Sequence, residues 1–205
     1  RRCGVNIFLV RHGESVWNRE QRIQGRKDPG LSEKGQRQAK ALARRLKKEN
    51  VEIIYTSGLK RCVQTARMIA KETGASVKVS SGIEEIILGD WQGRTVEEVK
   101  KIYPKVYEAW LKAPSRANIP GWEGIRRFTK RVDSAFKSIL NNNSASRICV
   151  VTHLGVIAAY LSRALDTDFD LLFRTIRMDN CGLSKFSHRD GRSVIQFIND
   201  TRHLK

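Results

Sequence analysis

The sequence predicts an α/β protein in which helices cover both faces of a mostly parallel β-sheet. Short apolar runs typical of buried strands alternate along the chain with amphipathic stretches typical of helices. This alternation is typical of parallel sheets, because parallel neighbours need a helical crossover between them. The last two apolar stretches instead flank Asp190-Gly191, a typical turn dipeptide, and predict an antiparallel hairpin.

The individual elements are predicted from the same patterns. Strands are predicted over residues 5–10, 53–55, 77–79, 148–151, 183–187 and 194–198. Helices are predicted over residues 33–49, 59–73, 95–112 with a break at Pro104, 124–140 and 156–165. The first of these helices carries the apolar stripe Ala39, Leu42 and Leu46, which should face the core. Ser57 is the expected N-cap of the second.

Length and composition indicate one globular domain in a soluble protein. The chain has 205 residues, of which 40% are hydrophobic. No apolar run approaches the roughly 20 residues that span a bilayer. The amino-terminal stretch is too short for a signal peptide and is better interpreted as a first strand. We therefore expect a cytoplasmic protein with no membrane partner.

The four cysteines, Cys3, Cys62, Cys149 and Cys181, show no zinc-binding spacing. We expect them to be reduced, with Cys149 in the core, although the sequence leaves a disulfide between distant cysteines open. The net charge of +18 favours anionic partners. The basic residues are dispersed along helix faces and no nucleic-acid-binding module accompanies them, so we expect small anionic substrates and no nucleic acid.

Two of the four histidines follow predicted strands directly. His12 comes after residues 5–10 and His153 after residues 148–151, and ligands of such sheets bind at the carboxyl ends of the strands. A histidine can be a nucleophile, a general base or a metal ligand. The sequence offers no convincing further set of metal ligands, and Arg11 supplies positive charge beside His12. The alternative is a structural histidine next to a surface arginine.

Two further segments carry residues suited to phosphate chemistry. Lys60 and Arg61 open a predicted helix at the end where cations are disfavoured, a conflict that a bound anion would remove. A solvated arginine is the alternative. Glu84 and Glu85 precede a Gly-x-Trp-x-Gly segment, and either carboxyl group could protonate a leaving group near a bound phosphate. Trp91 in that segment is expected to pack rather than react.

These motifs together resemble the histidine phosphatase superfamily, in its phosphoglycerate-mutase-like branch, over nearly the whole chain. The resemblance rests on Arg11-His12-Gly13-Glu14, on Asn18, on Arg61 in its Ser-Gly-Leu-Lys-Arg-Cys-Val-Gln-Thr-Ala segment, on Glu85 before Gly89-x-Trp91-x-Gly93, and on His153. It implies a three-layer α/β/α sandwich. It also implies a single domain over residues 1–205, with residues of about 90–125 inserted as a substrate lid.

The resemblance also assigns roles to residues. His12 would become phosphorylated and Glu85, rather than Glu84, would be the proton donor. Arg11, Arg61 and His153 would bind the phosphate, with Asn18 at the edge of the pocket. Neither a metal nor another cofactor would be needed.

The chain departs from the family pattern in two places. Leu154 stands directly after the second histidine, where relatives commonly have glycine, and Gly155 follows it. Residues 121–124 read Gly-Trp-Glu-Gly where many relatives have Gly-Gly-Glu-Ser. The first departure is expected to alter the backbone that faces the phosphate, whereas the second bears on the substrate and not on the phosphotransfer core.

The resemblance therefore predicts a metal-independent phosphomonoesterase that acts on small phosphorylated metabolites through a phosphohistidine. Phosphoserine, sugar phosphates and α-ribazole phosphate are the candidate substrates, with phosphoserine first because the chain length and residues 199–204 resemble phosphoserine phosphatases. The alternatives are a cofactor-dependent phosphoglycerate mutase and a non-catalytic phosphate-binding protein. A homodimer stays open.

Overall fold

A six-stranded sheet forms the centre of the computed structural model, which describes residues 4–142 and 145–205. The strands are β1 (Val5–Arg11), β2 (Ile53–Thr56), β3 (Ser76–Val79), β4 (Arg147–Thr152), β5 (Leu183–Arg189) and β6 (Arg192–Asp200). Their order is β3-β2-β4-β1-β5-β6, in which the first four are parallel. Strands β5 and β6 form an antiparallel hairpin against β1. The predicted parallel sheet and terminal hairpin are thus confirmed.

The helices connect these strands and cover the sheet. They are α1 (Val16–Arg19), α2 (Glu33–Lys47), α3 (Lys60–Thr73), α4 (Val96–Ile102), α5 (Pro104–Lys112), α6 (Ile125–Asn141), α7 (Leu154–Ala164) and α8 (Phe169–Thr175). The predicted break at Pro104 is confirmed. Helix α7 begins two residues earlier than predicted, and the short helices α1 and α8 were not predicted from the sequence.

Alternating side chains of the central strands divide the core into two layers. Along β1, Ile7 and Leu9 pack with residues of α6 and α7, whereas Phe8 and Val10 pack with residues of α2 and α3. This period of two is what a strand buried on both faces requires. The expected three-layer α/β/α arrangement is therefore confirmed, and the apolar stripe of α2 is buried as predicted.

A third, smaller apolar cluster lies between β3 and α6 in the chain. Trp91, Val99 of α4, Ala117 and Ile119 are buried together, and α5 contributes partly buried side chains to the cluster. Trp91 is 1% exposed, so its expected packing role is confirmed. Gly89 has a φ of +48°, and a Cβ there would lie within van der Waals overlap of the Pro120 carbonyl oxygen. Glycine at position 89 therefore allows the two backbone segments beside the cluster to pack closely.

One predicted cap is wrong. Helix α3 begins after its N-cap Leu59, and Ser57 lies two residues before that cap. The carboxylate of Asp28 instead accepts the backbone N–H of Lys60 at 2.6 Å, at the first position of the helix. An anionic side chain from a distant loop therefore satisfies this helix terminus, which frees the Ser57 hydroxyl for another contact.

The cysteines of the described chain are unpaired. Cys62, Cys149 and Cys181 are free thiols and are fully buried, which agrees with the expected reduced state and with Cys149 in the core. Cys3 lies outside the described residues. A search of residues 4–142 and 145–205 finds no helix with the length and apolar character needed to cross a membrane.

Candidate active site

The two strand-end histidines meet at the carboxyl edge of the sheet. Strands β1 and β4 are parallel neighbours, so His12 and His153, which follow them, project from the same edge. Their ring centroids lie 5.2 Å apart, and both side chains are buried. The backbone N–H of His12 donates to the carbonyl of Thr152 at 2.9 Å, which fixes one strand end against the other.

The hydrogen bonding of His12 determines its tautomer. Nδ1 lies 2.7 Å from the carbonyl oxygen of Gly13, which can only accept a hydrogen bond. Nδ1 therefore carries the proton in the neutral ring, and the lone pair is on Nε2. Within the described chain Nε2 has no hydrogen-bond partner, and His12 lines an open pocket. The imidazole is oriented as a nucleophile.

Burial keeps both imidazoles neutral. Desolvation lowers the pKa of His12 well below its usual value, and the nearby guanidinium groups of Arg61 and Arg11 lower it further. The pKa of His153 is lowered by the same causes, with burial again the largest. A neutral His12 retains its lone pair at physiological pH, as nucleophilic attack requires.

Two buried arginines surround His12. One amino group of Arg11 donates to the carbonyl of Met178 at 2.6 Å, and Arg61 donates to the carbonyls of Lys27 and Gly25 at 2.9 and 2.8 Å. The Nε atoms of both are buried without a partner in the described part of the chain. These contacts are to neutral carbonyls, and neither guanidinium group forms an ion pair with a carboxylate of the described residues, although Glu85 lies near both. Both charges therefore favour an anion in the pocket.

The structure distinguishes the two adjacent carboxylates. Glu85 lines the same pocket as His12, and its Oε2 accepts the backbone N–H of Gly155 at 3.2 Å. Glu84 is instead held by Arg131 and Arg26, whose nitrogens lie 3.5 and 3.7 Å from its Oε2. Of the two carboxylates, Glu85 is therefore the one that lines the pocket.

Arginines that the sequence analysis did not connect with the site position Glu85. Arg26 donates to its carbonyl oxygen at 3.0 Å, and Arg131 donates to the carbonyls of Gly82 and Glu84 at 2.8 and 2.9 Å. Arg131 also forms a two-point contact with Glu123, at 2.7 and 2.8 Å. These contacts join segments far apart in the sequence, and no local pattern indicates them.

His153 is held from behind the pocket. Its Nε2 lies 2.9 Å from the Ser57 hydroxyl and 3.4 Å from the Cys62 sulfur. Burial raises the pKa of the Cys62 thiol to about 12, so this sulfur is uncharged at neutral pH. His153 contacts the His12 ring but is not among the pocket-lining residues. Ser57 was interpreted from the sequence only as a cap.

Asn18 lies at the pocket wall, as expected. Its side-chain oxygen accepts hydrogen bonds from the backbone N–H and the hydroxyl of Ser15, both at 3.1 Å. These contacts cap the single-turn helix α1 and orient the amide. The structure thus brings Arg11, His12, Asn18, Arg61 and Glu85 into one pocket, with His153 directly behind.

The pocket has a volume of about 200 Å³ and a strongly positive lining. Arg11, Arg22 and Arg61 contribute cations, and Glu85 is the only carboxylate among the described lining residues. Leu154, the first departure from the family pattern, lines the pocket directly. In the second departure Trp122 packs between two apolar clusters, while Glu123 pairs with Arg131.

The described residues provide no metal-binding cluster. Across residues 4–142 and 145–205, no group of three or more His, Cys, Asp or Glu side chains is arranged to hold a metal ion. The remaining histidines lie elsewhere: His188 contacts Ser193 in the hairpin, and His203 contacts the carbonyl of Cys181. The positive groups available to a bound anion in this pocket are therefore side chains.

Comparison with known proteins agrees with this geometry. A model of the histidine phosphatase superfamily (branch 1) matches residues 7–201. Phosphoserine phosphatase 1 from Hydrogenobacter thermophilus is 36% identical over 200 residues, which cover 98% of this chain and 94% of that protein.

Solved structures show the same likeness. Bacillus stearothermophilus YhfR superposes with a TM-score of 0.93 at 28% identity, covering 98% of this chain and 100% of that one. A phosphoserine phosphatase mutant from Entamoeba histolytica in complex with phosphoserine gives a TM-score of 0.84 at 28% identity, with the same coverage.

Proposed function

The chain belongs to the histidine phosphatase superfamily and is a phosphatase, and we propose that it hydrolyses small phosphomonoesters through a phosphohistidine on His12 without a metal ion. The observation that carries this proposal is the orientation of His12. Its Nδ1 is committed to the Gly13 carbonyl, which leaves the lone pair on Nε2 of a residue that lines an open, positively charged pocket.

In the first step, Nε2 of His12 attacks the phosphorus atom and the bond from phosphorus to the ester oxygen breaks. The Glu85 carboxyl group gives its proton to the departing oxygen, so an alcohol leaves rather than an alkoxide. Arg11 and Arg61 stabilise the charge on the phosphoryl oxygens. The Gly13 carbonyl stabilises the positive charge that forms on the imidazole ring, because it accepts the Nδ1 proton.

In the second step, water attacks the phosphorus atom of phosphohistidine. The Glu85 carboxylate now accepts a proton from that water, the bond from phosphorus to Nε2 breaks, and inorganic phosphate leaves. His12 recovers its lone pair and Glu85 its proton, so the cycle is closed. His153, held by Ser57, packs against the His12 ring and supports the nucleophile.

The same arrangement supports independence from metal ions. Mg²⁺ commonly neutralises phosphoryl charge in other phosphoryl-transfer enzymes. Here the buried guanidinium groups of Arg11 and Arg61 contact backbone carbonyls and form no ion pair with a carboxylate of the described residues. They can therefore neutralise the phosphoryl charge. We further propose a cytoplasmic location, action on a small anionic substrate without nucleic acid, and closure of the pocket by the segment of about residues 90–125.

Phosphate release tests the proposal. The assay uses a panel of phosphoserine, 3-phosphoglycerate, sugar phosphates and p-nitrophenyl phosphate in EDTA, for the wild type, His12→Ala and the control His188→Ala. We expect turnover in EDTA that His12→Ala abolishes and that His188→Ala retains, because His188 lies in the β5–β6 hairpin. Loss of activity in EDTA that Mg²⁺ restores would refute the metal-free mechanism.

The panel also separates the alternatives. A mutase would become phosphorylated on His12 by 2,3-bisphosphoglycerate and would lose that phosphoryl group to water only slowly. A phosphate-binding protein would turn over no ester, and its Arg61→Ala variant would lose phosphate binding.

A further inference from the structure

The lining of the active-site pocket divides into two chemical sets. The phosphoryl-transfer residues come from the ends of β1 and β4, the start of α3 and the Glu85 loop. The remaining surface is mainly aliphatic and aromatic, with the main contributions from Ile23, Leu88, Trp110, Leu154, Phe169 and Phe173. Leu154 adds an apolar side chain where relatives commonly have glycine.

The aromatic side chains form a continuous wall. The Trp110 and Phe173 rings meet edge to face with centroids 5.5 Å apart, and Phe169 stacks on Phe173 at 5.5 Å. Phe128 adjoins Phe169 with centroids 6.2 Å apart. These rings come from three different helices, α5, α6 and α8, so their mutual packing fixes the shape of the wall.

Two polar side chains beside this surface already contact the protein. Arg22 pairs with Glu20 at 3.0 Å and donates to the Gly93 carbonyl at 3.0 Å. The side-chain oxygen of Gln24 accepts the Ser15 hydroxyl at 2.8 Å. Apart from Glu85, no described lining residue offers a carboxylate to an ammonium group. An ammonium group on the leaving group would therefore lose hydration without gaining a partner other than Glu85.

We propose that the preferred substrates are phosphate esters of apolar alcohols that carry one aromatic ring, and that Trp110 and Phe173 determine this preference. The inference rests on the function proposed above and names the substrate class for the same site. An apolar cavity of about 150 Å³ accommodates benzene. The pocket of about 200 Å³ contains both the phosphoryl site and the aromatic wall, so the space beside the phosphate suits a single ring rather than a nucleoside.

The test compares esters of primary alcohols, so that differences in leaving-group acidity stay small. We would measure kcat/KM for 2-phenylethyl phosphate, ethyl phosphate, phosphoserine and 3-phosphoglycerate. Because even one methylene group in an apolar pocket changes kcat/KM by about 10- to 200-fold, 2-phenylethyl phosphate should exceed ethyl phosphate and phosphoserine by at least about 10-fold.

Matched variants assign the preference to the wall. Phe173→Ala and Trp110→Ala should reduce the ratio of 2-phenylethyl to ethyl phosphate turnover towards one. The controls Leu171→Ala and Leu111→Ala lie on the same helices at positions 49% and 57% exposed, and should keep the wild-type ratio. Residual turnover of ethyl phosphate shows that each variant is folded.

The outcomes distinguish this inference from the proposed function. If the wild type hydrolyses none of these esters, the proposed phosphomonoesterase function is wrong. Turnover of phosphoserine or 3-phosphoglycerate at least as efficient as that of 2-phenylethyl phosphate would overturn the apolar preference alone. A wild-type ratio in both wall variants would show that Trp110 and Phe173 do not determine it.

Discussion

The substitution Gly155→Ala should displace the Glu85 carboxyl group without changing the Glu85 side chain itself. A Cβ at this position would lie 2.4 Å from Oε1 of Glu85 and 3.3 Å from the Phe128 ring. Ordinary contact begins about 1 Å farther out, so the carboxyl group must move by roughly that distance. Because a misplacement of about 1 Å can cost about 100-fold in rate, kcat/KM for ethyl phosphate should fall by that factor. The Glu85 side chain is flexible at its end, so stability should change little.

Steady-state kinetics with two leaving groups check this reasoning. The p-nitrophenolate group needs little protonation, so Gly155→Ala should slow p-nitrophenyl phosphate far less than ethyl phosphate. If the variant acts through Glu85, adding Gly155→Ala to Glu85→Gln should cause little further loss. A full additional 100-fold loss in the double variant would refute the assignment, because the alanine would then act through another group.

The remaining predictions concern the acid, the histidines and the cap of α3. Glu85→Gln should reduce the rate of ethyl phosphate hydrolysis by about 10²–10⁴-fold and that of p-nitrophenyl phosphate hydrolysis far less. Equal reductions of both rates in kinetic assays would assign the acid role to another residue, with Glu84 as the first candidate. Burial lowers the pKa of His12 and His153 well below 6.5, so the unfolded chain binds more protons below that pH. The free energy of unfolding should therefore fall by about 1.4 kcal/mol per pH unit for each histidine as the pH drops below about 6.5. Urea titrations at several pH values should show that the free energy of unfolding falls less steeply with decreasing pH in His12→Gln, by that amount. An unchanged pH dependence would contradict the lowered pKa of His12. Asp28→Ala should lower the free energy of unfolding by about 1 kcal/mol in urea, and Asp28→Asn by less; equal loss in both would argue for charge rather than capping.

The sequence allowed prediction of features that depend on local patterns. Apolar runs located β1 and β4, and a strand that ends at a histidine places that histidine at the carboxyl edge whatever the rest of the chain does. The strand ends therefore identified His12 and His153 as candidates, and the family motif supplied their expected roles. The family motif likewise preferred Glu85 to Glu84, a choice that the residues themselves left open.

Features that depend on distant contacts could not be predicted in this way. Ser57 has the composition of a helix cap, yet Asp28 occupies that position because its loop lies against the start of α3. The aromatic wall depends on α8, a seven-residue helix too short to show clear periodicity. Arg131 is one of several arginines in a basic stretch, and only its contacts with the loop before Glu85 reveal its positioning role.

The electrostatics of the site favour phosphate binding at the expense of folding stability. Burial lowers the pKa of both Arg11 and Arg61, which means that their charged forms are held in an unfavourable environment. A carboxylate beside each would relieve this strain but would also repel a phosphate dianion. The fold instead contacts them with backbone carbonyls, which orient the guanidinium groups without neutralising them. Burial is the main cause that keeps His12 unprotonated, and the two guanidinium charges add to it, so the charges that attract the substrate also help to preserve the nucleophile.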